Sequence, residues 1–294
     1  MSVSEPQPGV LYVVATPIGN LKDITLRALA VLGDVDWIAA EDTRRTRILL
    51  DHHGIKSELT SLHGDVEKRK SPKLVESLLS GRSGAIVSDA GTPGASDPGG
   101  ALVRAAASAG VKVSPVPGPS SVTAALSCAG VDSPRYVFEG FVPRSGAKRT
   151  AFMNSIAKDD RHIIFFESAL RLKDTLSSIR GAAGDRKVVL FRELTKMHEE
   201  IIRTTLEEVI EGKIALNYRG EFTVMVIGGE SEEGKGDAEE ANTYFNEEKI
   251  DKVFAGMNLS TRDMAKIISG FLNISKNKAY SIAEGINREG SVTE

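Results

Sequence analysis

Cysteine is nearly missing from this chain: Cys128 is the single one in 294 residues. That excludes an intramolecular disulfide and a cysteine-rich zinc site, and makes a reducing compartment the expected home. Long apolar runs are missing too. No stretch approaches the ~18 uninterrupted apolar residues of a spanning helix. The opening MSVSEPQPGV lacks the basic segment running into an apolar one that marks a secretory signal. A cytoplasmic protein with no membrane segment is expected. Nor is there a large excess of one charge: 37 Lys plus Arg stand against 40 Asp plus Glu, a net −3. This argues against a surface coated in positive charge for gripping nucleic acid non-specifically, and leaves a local basic patch open.

Two nucleotide-binding signatures are also absent. After the first predicted strand the chain reads ATPIGN rather than GxGxxG, and GxxxxGK[ST] occurs nowhere. Dinucleotide oxidoreductase chemistry and a triphosphate P-loop lose their support. His52, His53, His63, His162 and His198 show no HExxH or other ligand spacing, so no metal is expected, although His63 follows a predicted strand. Cys128, in a helix of small residues, reads as a packed small hydrophobe.

What is present is enough for a sizeable core. Hydrophobic residues make up 41% and charged ones 26%, and at ~100–200 residues per domain the length suggests two domains with a small appendage. In the first half, strand-length apolar runs (VLYVVATP, WIAAED, ELTSLH, GAIVSDAG, VKVSPVPGP) alternate with helical periods (DITLRALAVLGDV, TRRTRILLDHHG, SPKLVESLLSG, DPGGALVRAAASAG). That βαβ series predicts a mostly parallel sheet with helices on both faces and ligands beyond the carboxyl ends of its strands. From about Ser120 a helix (SSVTAALSCAG) leads into YVFEGF, HIIFFES, KVVLFREL, EEIIRTT and EFTVMVIGG, the last of them closely spaced, which predicts a second α/β domain with a mixed sheet.

Residues 230–240 hold six acids and one base, a net −5, and almost no apolar side chain, which is linker composition. Without them the remainder carries +2. Beyond, Ser260 and Asp263 have the spacing of a helix-start cap, and Met264, Ile267, Ile268 and Phe271 follow at helical period. The expected organisation is an α/β fold: an N-terminal domain over 1–119, a second over 120–229 with a cleft between them, an acidic linker over 230–242, and a helical C-terminal module over 243–294.

Residues that follow the strands are the candidates for chemistry. SDAGTPGASDPGG, Ser88 to Gly100, is the most glycine-rich turn, and its backbone amides could approach a ligand closely or simply form a long βα loop. VPGPSS, ending in Ser120 and Ser121, can cap a helix and also wall a cleft. In EDTRRTR, Glu41 could bind a hydroxyl or act as a base, Asp42 could be only an N-cap, and Arg44, Arg45 and Arg47 could meet phosphates or lie solvated. Glu167, Arg192, Glu193 and Lys196 again stand at strand ends, where they could tie domains together as ion pairs or prepare a hydroxyl for attack.

Taken in order, ATPIGNLKDITLRAL, AAEDTRRT, VSDAGTPGASDPG, PVPGPSSVTAAL, FEGF, FFES and RELTK resemble the ribosomal RNA small subunit methyltransferase I group of the tetrapyrrole methylase superfamily. The resemblance runs from about Leu11 to Gly229. It implies two α/β domains, commonly a homodimer, and S-adenosylmethionine-dependent 2′-O-methylation of a cytidine in the decoding region of small-subunit rRNA, presented as RNA or as the 30S particle. It places the cofactor against Asp89, Gly91, Thr92 and Pro93, with Pro17, Ser120 and Ser121 as adjacent walls. For the ribose hydroxyl it leaves Glu41 or Glu167 as base and Arg192 or Lys196 as electrostatic partner. Phosphates would meet Arg144, Lys148 and Arg149, or Arg44, Arg45 and Arg47, with Lys276 and Lys278 of the tail as an addition or as part of a dimer contact. The chain departs from the group at Leu170, where a histidine is usual, in Gly64 to Glu67 after LH, and at Gly228–Gly229. These departures bear on the substrate side more than on the cofactor side.

Overall fold

The computed structural model describes residues 9–132, 135–228, 259–272, 276, 279–281 and 283–284. They fall into two compact units, one ending at Gly228 and one beyond it. The first unit contains both sheets.

The first sheet has five parallel strands in the order β3-β2-β4-β1-β5: β1 (Val10–Val14), β2 (Trp37–Ala40), β3 (Glu58–Ser61), β4 (Gly84–Val87) and β5 (Lys112–Val116). β2 and β4 are buried along their whole length, as strands covered by helices on both faces must be. Pro115 is tolerated because β5 pairs only with β1 and stands at the edge. The crossovers are α1 (Leu26–Asp34), α2 (Thr43–His52), α3 (Gly64–Leu79) and α4 (Gly100–Ser108). From β1 the chain crosses over β4 to reach β2, whereas from β4 it crosses over β1 to reach β5. The loops after β1 and β4 therefore emerge side by side, the place where an open α/β sheet forms its ligand crevice.

α5 (Ser121–Ala129) leads into the second sheet and packs Val122, Ala125 and Ala129 against its face, on Ile164, Val189, Phe191 and Met225. That sheet runs β6-β7-β10-β8-β9, with β6 (Tyr136–Phe141), β7 (His162–Ser168), β8 (Lys187–Arg192), β9 (Glu200–Thr205) and β10 (Glu221–Val226). β6 and β7 are parallel and the other pairs antiparallel, the mixed sheet that the short late connections predict. α6 (Gly146–Lys158), α7 (Ala169–Ala183) and α8 (Leu206–Ile210) cover its other face through Phe152, Ile156, Leu172, Leu176 and Val209.

Two local expectations are corrected. Ser71–Pro72 reads as a helix start, since proline favours the first turn, yet α3 begins at Gly64 and carries Pro72 inside it. The extra turns place Glu67, 8% exposed, so that one carboxylate oxygen accepts from the amides of Ala101 (2.6 Å) and Leu102 (3.0 Å). The N-cap of α4 is Gly99, which has no side chain to offer, so the distant carboxylate takes over the capping and dipole-stabilising role. Cys128 is exposed, because the buried face of α5 is taken by Val122, Ala125 and Ala129.

In the second unit, α9 (Thr261–Leu272) starts on the expected cap: the Asp263 amide donates to Ser260 Oγ, and Ser260 Oγ to Asp263 Oδ2 at 2.6 Å. Its buried face is Met264, Ala265 and Ile268 against Ala279 and Ala283, while Ile267 stands 39% exposed. Relative to the expected stripe, the buried face is turned toward Ala265 and away from Ile267. The acidic linker, Lys278 and the Phe271 side chain lie outside the described residues. Among the described residues no helix is long and apolar enough to cross a membrane.

Gly84 marks the tightest point of the first sheet, since a Cβ there would lie 2.2 Å from the Trp37 ring, itself 2% exposed. Gly84→Ala should cost about 1–3 kcal/mol by overpacking, seen as a lower urea midpoint in the fluorescence of Trp37, the one tryptophan.

Candidate active site

The loops after β1, β2 and β4 are tied together by a few bonds. Thr16 and Gly91 exchange backbone hydrogen bonds (2.8 and 3.0 Å), and the Thr16 hydroxyl donates to Ser88 O at 3.1 Å. Gly91 adopts φ +82°, a left-handed turn that favours glycine and brings bare backbone to the crevice. Asp89 Oδ1 accepts from the Asp42 amide at 2.9 Å and Oδ2 faces Arg45 at 3.4 Å, joining the β4 loop to the start of α2. Thr92 donates to Pro119 O at 3.3 Å and so links the glycine-rich turn to the serines that open α5.

The opposite wall comes from the second sheet. Phe166 of β7 stacks edge-on with Phe138 and Phe141 at 5.0 and 5.3 Å. After β8 the chain turns through two left-handed non-glycine residues, Glu193 (φ 51°) and Thr195 (φ 63°). That strained turn reaches the first sheet's ATPIGN loop, where the Asn20 amide donates to Thr195 Oγ1 at 3.1 Å. Only glycine fits at position 19, because a Cβ would sit 2.6–2.7 Å from Lys196 Cγ, Leu194 O and Thr195 Oγ1.

Between these walls lies a cleft of about 460 Å³, within the ~300–1,000 Å³ usual for small-molecule sites. Of the residues expected at the cofactor, Asp89, Gly91, Thr92, Ser120 and Ser121 line it, together with Glu41, Glu167 and Lys196. Pro17 lines a neighbouring cavity, and Pro93 is buried beneath the loop and lines neither. Asp42 is the N-cap of α2, accepting from the Arg44 guanidinium at 2.7 Å and from the Arg44 amide at 2.8 Å, and those hydrogen bonds hold the Asp42 carboxyl far below the ordinary range.

Glu167 is 2% exposed and fully engaged: Oε1 accepts from the Ser168 amide at 2.8 Å, Oε2 from the Thr175 hydroxyl at 2.8 Å, and Arg171 stands 3.3 Å away. Arg192 is also buried, donates to Glu200 (2.8 Å) and Arg219 O (3.3 Å), and does not line the cleft. Lys196 Nζ bonds Glu221 Oε2 at 2.8 Å and Glu193 Oε1 at 3.1 Å. Burial works against its ammonium, but those two carboxylates outweigh it and hold the pKa above the ordinary lysine value. Burial likewise pulls Glu193 upward, and the Glu221 amide and Lys196 outweigh it downward. Among the phosphate candidates, Arg44, Arg45, Arg47, Arg144, Lys148 and Lys276 are exposed. Arg149 is anchored on Asp174 at 2.8 Å, Ser178 at 3.2 Å and Pro143 O at 3.3 Å. Leu170, at the usual histidine position, is 94% exposed.

One site residue escaped the sequence reading. Asp97, quoted only as part of its turn, lines the cleft with Glu41 and Asp89. Burial, then the charges of Glu41 and Asp89, push its pKa up to about 6 against the pull of the Ser88 hydroxyl. Burial and the Asp89 charge raise Glu41 as well. The signal for Asp97 was positional: it is the second acid of the glycine-rich turn after β4, flanked by Ser96 and Pro98. The first sheet thus offers an acidic wall, suited to a cationic ligand, beside hydroxyls and the open amides at the start of α5, suited to a carboxylate. A ligand bearing a sulfonium, an ammonium and a carboxylate fits that donor set.

Comparison with known proteins agrees with this architecture. The profile of the Tetrapyrrole (Corrin/Porphyrin) Methylases matches residues 10–210. The fold is that of solved methyltransferases: CobJ (TM-score 0.57, 18% identity, 76% of this chain and 95% of that one) and the uroporphyrin-III C-methyltransferase of Thermus thermophilus complexed with S-adenosyl homocysteine (TM-score 0.53, 19% identity, 74% and 97%). The chain therefore belongs to the tetrapyrrole methylase family and is a methyltransferase. Within the family it is 45% identical over 222 residues, 76% of its length, to the whole of the Thermotoga maritima protein named ribosomal RNA small subunit methyltransferase I. It is 46% identical over 228 residues to the protein of that name from Escherichia coli O157:H7, covering 76% of this chain and 80% of that one.

The acidic wall has a pH consequence. A folded pKa raised to about 6 from 3.8 means that Asp97's contribution to stability is fully present below pH 3.8 and is lost as pH rises through about 6. Asp97→Asn should therefore be more stable than the parent by roughly 1 kcal/mol at pH 8, after discounting for partial solvation. At pH 4 the advantage should vanish, as urea midpoints at the two pH values will read.

Proposed function

We propose that this chain transfers a methyl group from S-adenosylmethionine to the ribose 2′-O of a cytidine in the decoding region of small-subunit rRNA, in the cytoplasm and as a homodimer. The observation that carries the reading is the similarity, at 45–46% identity over three quarters of the chain, to proteins named ribosomal RNA small subunit methyltransferase I. The two-walled cleft supports it. The bound cofactor supplies an electrophilic methyl group on a sulfonium, so the protein must bind, align and exclude water more than it must activate.

Asp89, Gly91 and Thr92 hold the cofactor from one side and Ser120 and Ser121 from the other, with the acidic wall facing its positive charge. The ribose hydroxyl is a poor nucleophile at neutral pH and needs a proton acceptor. Glu41 suits this better than Glu167: its raised pKa makes it the stronger base, whereas both Glu167 oxygens are already occupied. Lys196 suits the electrostatic role better than Arg192, since it lines the cleft as a persistent cation while Arg192 is consumed by Glu200. Exposed Arg44, Arg45, Arg47, Arg144 and Lys148 supply phosphate contacts.

The direct test supplies methyl-tritiated cofactor with either small-subunit particles or a porphyrinoid acceptor. Label in the particles, mapped to a cytidine ribose, is the expected result; label in the porphyrinoid alone would overturn the reading. Glu41→Gln should lower kcat about 10²–10⁴-fold and leave binding of S-adenosylhomocysteine near the parent value. Glu167→Gln should instead destabilise the fold by about 1–3 kcal/mol and leave kcat per folded molecule largely intact.

A further inference from the structure

Beside the main cleft lies a second cavity of about 340 Å³. The two share one partition, formed by Ile18, Arg45, Asp89, Ala90, Lys196 and Glu221. Direct methyl transfer needs a donor and an acceptor approaching one carbon from opposite sides, and contiguous compartments with a common wall satisfy that geometry. The larger cleft carries the glycine turn, the acidic wall and the α5 serines, which suit the cofactor.

The second cavity has a different chemistry. Its cations are Arg45, whose side chain is 67% exposed and keeps a 3.4 Å contact to Asp89, and Lys196 on the partition. Its apolar lining is Pro17, Ile18, Leu21, Ile48 and Leu49, and it also carries the Asp89 and Glu221 carboxylates that pair with those two cations. α2 buries Thr46, Leu49 and Leu50, so Ile48 has no part in the core and stands 63% exposed at the cavity edge. A guanidinium beside an apolar shelf fits an anion attached to a flat apolar body, which is the make-up of a nucleotide.

We propose that this second cavity receives the acceptor nucleotide of single-stranded RNA, with its phosphate on Arg45, its base on the Ile48 shelf, and its ribose reaching past the partition at Lys196 into the main cleft, which Glu41 lines. The proposal rests on the reading that the methyl acceptor is RNA. It explains why an exposed isoleucine sits among the three arginines of α2.

The test uses the full chain and unmethylated small-subunit particles, with calorimetric binding of S-adenosylhomocysteine in parallel. Ile48→Asp, which charges the shelf, and Ile48→Trp, which fills the cavity, should each raise KM for particles at least tenfold while S-adenosylhomocysteine affinity stays within twofold. Ile48→Leu should behave as the parent. Because Ile48 is outside the core, unchanged circular dichroism should accompany all three. Parent-like KM in both Ile48→Asp and Ile48→Trp would overturn the proposal, and so would a matching loss of S-adenosylhomocysteine binding, which would assign the cavity to the cofactor. Failure of the underlying reading looks different: the unsubstituted chain would then methylate no RNA, and this site would fall with it.

Discussion

The close seat of Gly19 against the turn Leu194–Lys196 is the contact on which the site depends. The first sheet alone offers an acidic shelf and a glycine turn, and the second alone offers an aromatic cluster and a lysine. They face one another as a cleft because the strained turn after β8 reaches the loop after β1, where Thr195 takes the Asn20 amide and Lys196 lies against a residue without a Cβ. Left-handed backbone at Glu193 and Thr195 costs on the order of 1–3 kcal/mol per residue. Interlocking bonds offset it: the Glu193 and Glu221 backbones pair at 3.1 Å, the Glu221 amide donates to Glu193 Oε1 at 2.9 Å, and the Thr195 amide donates to Glu199 at 2.6 Å.

Electrostatics divides the cleft into two sides. Burial, and after it the charges of Glu41 and Asp89 on the same wall, push the Asp97 pKa up to about 6, whereas Lys196 opposite is held charged by two carboxylates of its own. A cation is welcome at the first wall, and a developing negative charge at the second. The proposed methyl transfer from a sulfonium to an oxygen matches that polarity, and Glu41 and Lys196, the side chains proposed to handle the proton and the oxyanion, belong to different halves of the cleft. On that proposal the reaction belongs to the assembled unit and to neither half.

Much of this was legible in the sequence because it rests on local rules. Unbroken apolar runs such as WIAA and GAIV announced a sheet buried on both faces, and short late connections announced antiparallel pairing. Positions just past those strands held most of the cleft lining, since an open α/β sheet binds ligands there. What could not be read depended on distant partners. Glu67 caps a helix 34 residues away and extends its own helix through Pro72. Arg192 and Arg149 carry the right chemistry at plausible places, but Glu200 and Asp174 decide how they are used. Asp97 looked like one more loop residue until Glu41 and Asp89 were seen beside it. The buried face of α9 is turned toward Ala265 relative to its sequence period, because the elements packed against a helix decide which of its apolar residues are covered.

If both sheets wall one cofactor site, ligand binding must quiet backbone on each. Hydrogen–deuterium exchange of the full chain with and without S-adenosylmethionine reads this directly. The account predicts slower exchange both in the Asp89–Gly100 loop and in the Glu193–Lys196 turn at the same cofactor concentration. Protection confined to the first sheet's loop, with the turn after β8 exchanging as in the free protein, would contradict it.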